Sequence, residues 1–286
     1  MVQTRLTRCG KTEFEWGKRT YIMGIVNVSP DSFSGDGIAT ADDALAQARR
    51  FVDEGADILD VGGESTRPNS KPVSLDEELK RVIPAIESIT RGLSVPVSID
   101  TMKYEVAVRA LAAGAAILND QWGLKKEPRL ARLAAEKGVP VILMSNQRDK
   151  GGYDTSAGRD TGFYEDIMSA VTESLRHGIA TARAAGVPEE NIIIDPGIGF
   201  GKTWQQDLEI MRRLRELTAL GQAILIGTSR KSLIKMVLNL PAADRVEGTS
   251  ATVAIGIANG ADIVRVHDVR QMARVCKMTD AIVRGV

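Results

Sequence analysis

Eight times along this chain a short apolar run stops at a polar residue or a glycine, and a stretch with helical periodicity follows. The clearest case is NIIIDPGIGFGK, from Asn191 to Lys202. Ile192, Ile193 and Ile194 lead into Asp195. Pro196 and Gly197 then break the strand, and Gly199 and Gly201 keep the loop bare of side chains. An uninterrupted Ile run between breakers fits a strand buried on both faces, as in a parallel sheet covered by helices. The other runs are TYIMGIVNV at 20–28, DILDVG at 57–62, VPVSID at 95–100, AAILND at 115–120, VPVILM at 139–144, QAILIG at 222–227 and ADIVRVH at 261–267.

Between these runs the period changes from two to 3.6. Ala44, Leu45, Ala48, Phe51 and Val52 share one face of a helix opened by Thr40 with Asp43. Leu79, Val82, Ile83, Ile86 and Ile89 share a face of another, for which Ser74 and Glu77 read as a capping box. Residues from Trp204 to Leu220 read as one helix. A helix-ending glycine followed at once by a strand recurs at Gly55-Ala56-Asp57-Ile58, Gly114-Ala115-Ala116-Ile117 and Gly260-Ala261-Asp262-Ile263, the weak repeat that stacked β/α units produce. The expected fold is α/β, a (β/α)8 TIM barrel in one domain over 1–286, with a short N-terminal β-hairpin over about 4–18 that turns at Gly10 and Lys11. A doubly wound open sheet is the alternative, and it would lack an eighth equivalent unit.

Charge is balanced at 37 Lys and Arg against 37 Asp and Glu, which gives no electrostatic reason to expect nucleic acid or an anionic membrane. No apolar run reaches membrane-spanning length and the N-terminus is polar. The two cysteines, Cys9 and Cys276, have neither disulfide-framework nor zinc spacing. A cytoplasmic protein with free thiols is expected.

In a barrel of this kind the site lies at the carboxyl ends of the strands. Asn27, Glu64 to Arg67, Asp100, Asn119, Met144, Asp195, Ser229 to Ser232, Arg265 and His267 all fall there. Helix caps could explain any one of them, but caps do not require Lys, Arg and His. Asp100, Asn119 and Asp195 offer acceptors and Lys231 a donor, which suits a flat heterocycle with several N–H groups. Arg67, Arg265 and His267 suit phosphate oxygens. Asn27 could ligate a hard cation such as Mg²⁺ through its amide oxygen. GFGKT, ending at Thr203, is similar to the tail of a phosphate-binding P-loop, but its first glycine would fall at Pro196 and the pattern fails.

With these residues in hand, the chain resembles the dihydropteroate synthases. The resemblance rests on MGIVNVSPDSFS (23–34), DVGGESTRP (60–68), SIDTMK (98–103), ILND (117–120), IIDPGIGFGK (193–202), GTSRKS (227–232) and RVHDV (265–269), in this order. It implies condensation of 6-hydroxymethyl-7,8-dihydropterin diphosphate with p-aminobenzoate, giving 7,8-dihydropteroate and diphosphate. By the same resemblance Asp100, Asn119, Asp195, Lys231 and Gly227 hold the pterin, with Met144 and Phe200 as apolar walls. Thr66, Arg67, Arg265, His267 and Asn27 hold the diphosphate, with Mg²⁺ at Asn27. Ser232, Pro68 and Phe33 meet the aminobenzoate, and Asp100, Lys231 and Arg67 carry the catalysis. A homodimer acting on small molecules is implied. Two departures stand out: Gly35 displaces Asp36 by one position in the first loop, and the fifth strand ends LMSNQ (143–147) where the family commonly has a His-Met pair. A non-catalytic pterin-binding paralogue and a corrinoid-linked methyltetrahydrofolate methyltransferase are the competing readings. Only the synthase should release diphosphate.

Overall fold

The repeated junctions of a helix-ending glycine, an alanine and a strand show how this sequence sets its strands. Gly55, Gly114 and Gly260 all have φ near +100°, at 107°, 106° and 101°, the left-handed turn that ends a helix and that a side chain disfavours. In each, the next residue donates its N–H back into the helix, Ala56 to Phe51, Ala115 to Ala110 and Ala261 to Gly256. The chain then enters the strand directly. Asp57 accepts the N–H of Ile22, and Asp262 accepts those of Ile224 and Gly17. Two of the three repeats thus tie the start of one strand to that of its neighbour.

A computed structural model of the protein describes residues 6–29, 40–64, 72–148 and 164–286. The strands that follow are β3 (Tyr21–Asn27), β4 (Ile58–Gly62), β5 (Val97–Asp100), β6 (Ile117–Asp120), β7 (Val141–Met144), β8 (Ile192–Asp195), β9 (Ala223–Ile226) and β10 (Ile263–Val266). They are parallel and form a closed barrel in chain order, with β10 pairing with both β9 and β3. The open sheet is thereby excluded.

The helices are α1 (Ala41–Asp53), α2 (Leu75–Gly92), α3 (Tyr104–Ala112), α4 (Arg129–Lys137), α5 (Ile167–Ala184), α6 (Trp204–Arg213), α7 (Ser232–Leu238), α8 (Val246–Ala258) and α9 (Val269–Val283). Among the described residues no helix is long and apolar enough to cross a membrane. Thr40 caps α1 by accepting the Asp43 N–H. The box expected at Ser74 is only half formed: Ser74 accepts from Glu77 N–H, but the Glu77 carboxylate pairs with Arg81 one turn on. A full reciprocal box joins Thr203 and Gln206 at the start of α6. The segment expected as one helix to Leu220 tightens to a 3-10 helix at Leu214–Leu220. Leu214 and Leu217 are both buried there, and a three-residue repeat puts them on one side.

The hairpin is β1 (Leu6–Cys9) and β2 (Thr12–Glu15), with Cys9 opposite Thr12 across the expected turn. Its Phe14 and Trp16 join Tyr21 in an aromatic cluster, with ring centroids 4.8 to 5.4 Å apart. These rings pack with Met23, Ile58, Ile117, Ile142, Ile193 and Ile263, residues near the starts of their strands. The hairpin therefore closes the amino-terminal end of the barrel. Trp16 Nε1 reaches Thr7 Oγ1 at 2.7 Å, so the indole N–H is not stranded. Phe14→Ala should lower unfolding stability by about 3 to 4 kcal/mol, the usual effect of emptying a buried aromatic site. The hydrogen-bonded polar groups at the other end of the barrel should be left in place. A urea midpoint equal to that of the parent would show that the hairpin is not part of the core.

Candidate active site

Two charged residues lie within barrel strands rather than at their ends, and they meet. Asp60, fully buried in β4, accepts from Arg265 Nε of β10 at 2.6 Å. A buried carboxylate needs such a partner. Arg265 also donates through Nη2 to Asp100 at the end of β5, at 3.0 Å. Asn119, on β6, donates its amide to both Asp60 oxygens at 3.3 and 3.2 Å. Just past β6, Gln121 Nε2 donates to Asp100 Oδ1 at 2.6 Å and also to Oδ2. Asp60, Asp100, Asn119, Gln121 and Arg265 are thus one hydrogen-bonded group across the carboxyl half of the barrel.

Burial raises the Asp100 carboxyl to about 7, and the Asp60 charge adds to this, against the opposing pull of Arg265 and the Gln121 amide. For Arg265, burial weighs against the charge, but Asp60 and Asp100 outweigh it and hold the guanidinium above its ordinary range.

A second group surrounds the loop after β8. Asp195 accepts the Gly197 N–H at 2.7 Å. Burial raises its carboxyl, while Lys231, the Gly197 N–H, Lys202 and Arg265 pull it down. Lys231 donates to the Ile198 carbonyl, and its ammonium stands 4.3 Å from the centre of the Phe200 ring. Arg148 lies 4.6 Å from the same ring. Burial lowers Lys231 to about 8, and Asp195 acts to keep it protonated. Met144, at the end of β7, is buried close by: a side chain at Gly197 would meet Met144 Cγ at 3.1 Å and the Ser145 carbonyl at 2.3 Å. Gly197, at φ 70°, is a position that only glycine fills.

Lys202, the lysine of the failed P-loop pattern, is fully buried and cradles no anion. Its ammonium donates to the carbonyls of Ser145, Gly197 and Phe200 at 2.8, 2.8 and 3.2 Å, pinning the β8 loop to the β7 loop. Burial lowers it to about 7, partly offset by Asp207 and Asp195.

His267 follows β10. Its backbone N–H donates to Ser229 Oγ at 3.2 Å, and that hydroxyl lies 3.0 Å from Nδ1. The Ser229 hydroxyl thus ties the His267 backbone to its own ring. Next to Ser229, Arg230 adopts φ 59°, a left-handed conformation uncommon outside glycine. Asp268 grips its guanidinium at 3.0 and 2.6 Å. That pair joins the β9 and β10 loops one residue before Lys231. Gly227 lies against Arg265: a Cβ there would stand 3.9 Å from the arginine Cβ. Ser232 is the first residue of α7. Glu64, grouped above with the strand-end residues, is ion-paired to Lys103, which also pairs with buried Glu78. Thr66, Arg67, Pro68, Phe33 and Asp36 lie outside the described residues.

The expected Mg²⁺ site is corrected. Among the described residues no three or more His, Cys, Asp or Glu side chains stand together as a metal ion would require. Asn27, half-buried at the end of β3, offers one amide oxygen, whereas a hard cation needs several oxygen ligands. The carboxylates of Asp60 and Asp100 are already taken by Arg265, Asn119 and Gln121.

A (β/α)8 barrel, plugged at one end and carrying paired acids, amides and cations at the other, belongs to the class of barrel enzymes that act on small polar substrates. Residues 23–267 match the family model of pterin binding enzymes. The chain is 50% identical over 279 residues to a dihydropteroate synthase of Clostridium beijerinckii, covering 97% of this chain and 99% of that one. A crystal structure of the Clostridium difficile enzyme in the presence of pteroic acid superposes with a TM-score of 0.87 at 47% identity, covering 95% of this chain and 99% of that one. The Xanthomonas albilineans enzyme with 4-aminobenzoic acid superposes at 0.89 with 36% identity, covering 99% of this chain and all of the other. The chain belongs to the dihydropteroate synthase family, transferases of folate biosynthesis.

Proposed function

We propose that the crown binds 6-hydroxymethyl-7,8-dihydropterin diphosphate and passes its methylene to the amine of p-aminobenzoate. The observation that carries this reading is that Asp100, Asn119 and Arg265 are tied together through Asp60 at the carboxyl ends of β5, β6 and β10, the end of the barrel at which Asp195, Lys231 and His267 also lie. Asp195 and Asn119 face the donor edge of the pterin, and Lys231 donates to a ring acceptor. Phe200 and Met144 form apolar walls and Gly227 keeps one side open. Arg265, the His267 ring and the Asn27 amide N–H take diphosphate oxygens, with Arg67 and Thr66 assigned to the same anion. Ser232, Pro68 and Phe33 are assigned to the aminobenzoate. That Xanthomonas albilineans relative holding 4-aminobenzoic acid, and the Clostridium difficile one with pteroic acid, support these two substrates.

The step is a displacement at the methylene carbon. Its C–O bond breaks and the electron pair leaves with diphosphate, whose charge Arg265 opposes and whose oxygens the His267 ring meets by hydrogen bonding. Positive charge develops on the methylene and spreads into the ring, where the Asp100 carboxylate opposes it. The amine lone pair then forms the C–N bond and the nitrogen sheds a proton.

Asp100 does this only when ionised. Its folded value near 7 means that the carboxylate is lost as pH falls below 7. Sustained, many-turnover release of diphosphate should need p-aminobenzoate to consume the ring cation, and should weaken below about pH 7 rather than in the ordinary carboxylate range near 4. Sustained release without the amine would identify a hydrolase. An acid limb near 4 would remove Asp100 from the step.

A homodimer is part of the proposal. Met236, Val237 and Leu238 on α7, Ile255 on α8 and Met278 and Ile282 on α9 are exposed apolar side chains on helices in mutual contact. A second copy would cover such a face. Sedimentation as a monomer at micromolar concentration would exclude it. Two free thiols, both buried, support a cytoplasmic location, which cell fractionation would test.

A further inference from the structure

Gln121 lies one residue beyond the end of β6. Its amide nitrogen donates to both Asp100 oxygens, a two-point grip on a single carboxylate. The other end of the same amide is stranded: Oε1 is sealed from solvent and accepts no hydrogen bond. An unpaired buried acceptor is costly, and native proteins keep few of them. The backbone around it is fixed, because Asn146 Nδ2 donates to the Gln121 carbonyl at 3.0 Å and Lys125 to the Asn146 carbonyl. The strain therefore cannot be relieved by moving the loop.

We propose that Gln121 is a further residue of the heterocycle site, whose amide nitrogen orients Asp100 and whose Oε1 takes an N–H of the bound dihydropterin. This rests on the reading of the crown as a dihydropterin site. The last torsion of a glutamine is soft, so a small turn of the amide brings Oε1 to a ring donor while the nitrogen keeps its hold on Asp100. Binding then satisfies a buried acceptor that has no partner among the described residues. The preference is chemical: a ring presenting an N–H at that edge gains a bond, and one presenting an acceptor meets like polarity.

The grip also sets the charge state of Asp100. Four groups face that carboxyl: Asp60 from β4 and Glu78 from α2 push it toward the neutral form, and Arg265 from β10 and Gln121 pull it toward the ionised form. Removing the amide leaves Arg265 alone against two acids.

The test uses Q121L and the near-isosteric Q121M, each compared with the parent in urea to confirm folding. The dissociation constant for dihydropterin diphosphate, measured calorimetrically without p-aminobenzoate, should rise about tenfold or more, the weight of one buried hydrogen bond. The acid limb of kcat/KM should move up by about one pH unit, the weight of a hydrogen bond to a charged group. A residue that merely packed would move neither. A folded variant in which either quantity matched the parent would overturn the proposal. If the parent itself released no diphosphate with p-aminobenzoate, the functional reading would fail instead. The Asp100 titration, followed by carbon NMR in the empty parent and in Q121M, would then decide the grip by itself: an unmoved Asp100 overturns it.

Discussion

Arg265→Met is expected to lower kcat/KM by at least about three orders of magnitude and to weaken the fold by about 3 to 5 kcal/mol. Arg265 is the cation that lets Asp60 and Asp100 share the barrel interior. Asp60 is fully buried and keeps only the Asn119 amide once the guanidinium is gone. Asp100 already stands near 7 through burial and the Asp60 charge, and it would rise further. Its folded value exceeds the unfolded one, so the native state binds a proton more readily than the unfolded chain. The variant should therefore be weakest above pH 7 and should recover as pH falls toward about 5, where protonation removes the repulsion. Urea midpoints at pH 5.5 and 8 read this directly. Adding D60N should restore stability without restoring turnover, because the leaving diphosphate still lacks its cation. A single variant as stable and as active as the parent would show that the Asp60–Arg265–Asp100 group is incidental.

That group was half legible in the sequence. Each barrel strand announced itself because its residues are apolar on both faces and end at a polar group or a glycine, and the hairpin showed its alternation around Phe14 and Trp16. Asp100, Asn119 and Asp195 stood out as strand-end polar groups. Asp60 did not: it sits two residues before the end of β4, between Leu59 and Val61, and a search confined to strand ends passes over it. The available signal was complementarity, since an acid inside ILDVG and a base inside IVRV both need partners, and strands close together in the barrel can supply them to one another. The register does so, with β3 alone between β4 and β10.

The remaining misses come from contacts that no local pattern encodes. Gln121 reads as the first residue of a loop, and only closure of the barrel brings it to Asp100. Lys202 reads as part of a glycine-rich loop, and only the approach of the β7 exit supplies the carbonyl of Ser145. Glu78 falls among the charges at the start of α2, yet it is buried against Thr101 and Lys103. The Mg²⁺ expectation failed for the opposite reason. It rested on one amide oxygen, and among the described residues no cluster of His, Cys, Asp or Glu stands where it could hold a metal ion.

Asp195→Ala should separate function from stability. The carboxylate is buried, and burial raises it against the pull of Lys231 and the Gly197 N–H. Keeping a charge there costs the empty fold something, so the variant should unfold at an equal or higher urea concentration. Binding should behave oppositely. The pterin edge loses an acceptor that can take two N–H groups, each charged hydrogen bond being worth about 1.5 to 3 kcal/mol, so affinity should fall by roughly a hundredfold to ten-thousandfold. A second effect follows at Lys231. Asp195 is the first charge that favours its protonated form, and burial has already brought it to about 8. Without Asp195 the lysine should deprotonate at lower pH, so the alkaline limb of the residual activity should move down. Asp195→Asn would lose the charge but keep the volume, and it should share that shift. Calorimetry with the dihydropterin alone and a pH profile for each variant distinguish the two effects. Near-parent affinity in Asp195→Ala would mean that the ring is held elsewhere. An unmoved alkaline limb would mean that Lys231 does not meet the substrate as a charged donor.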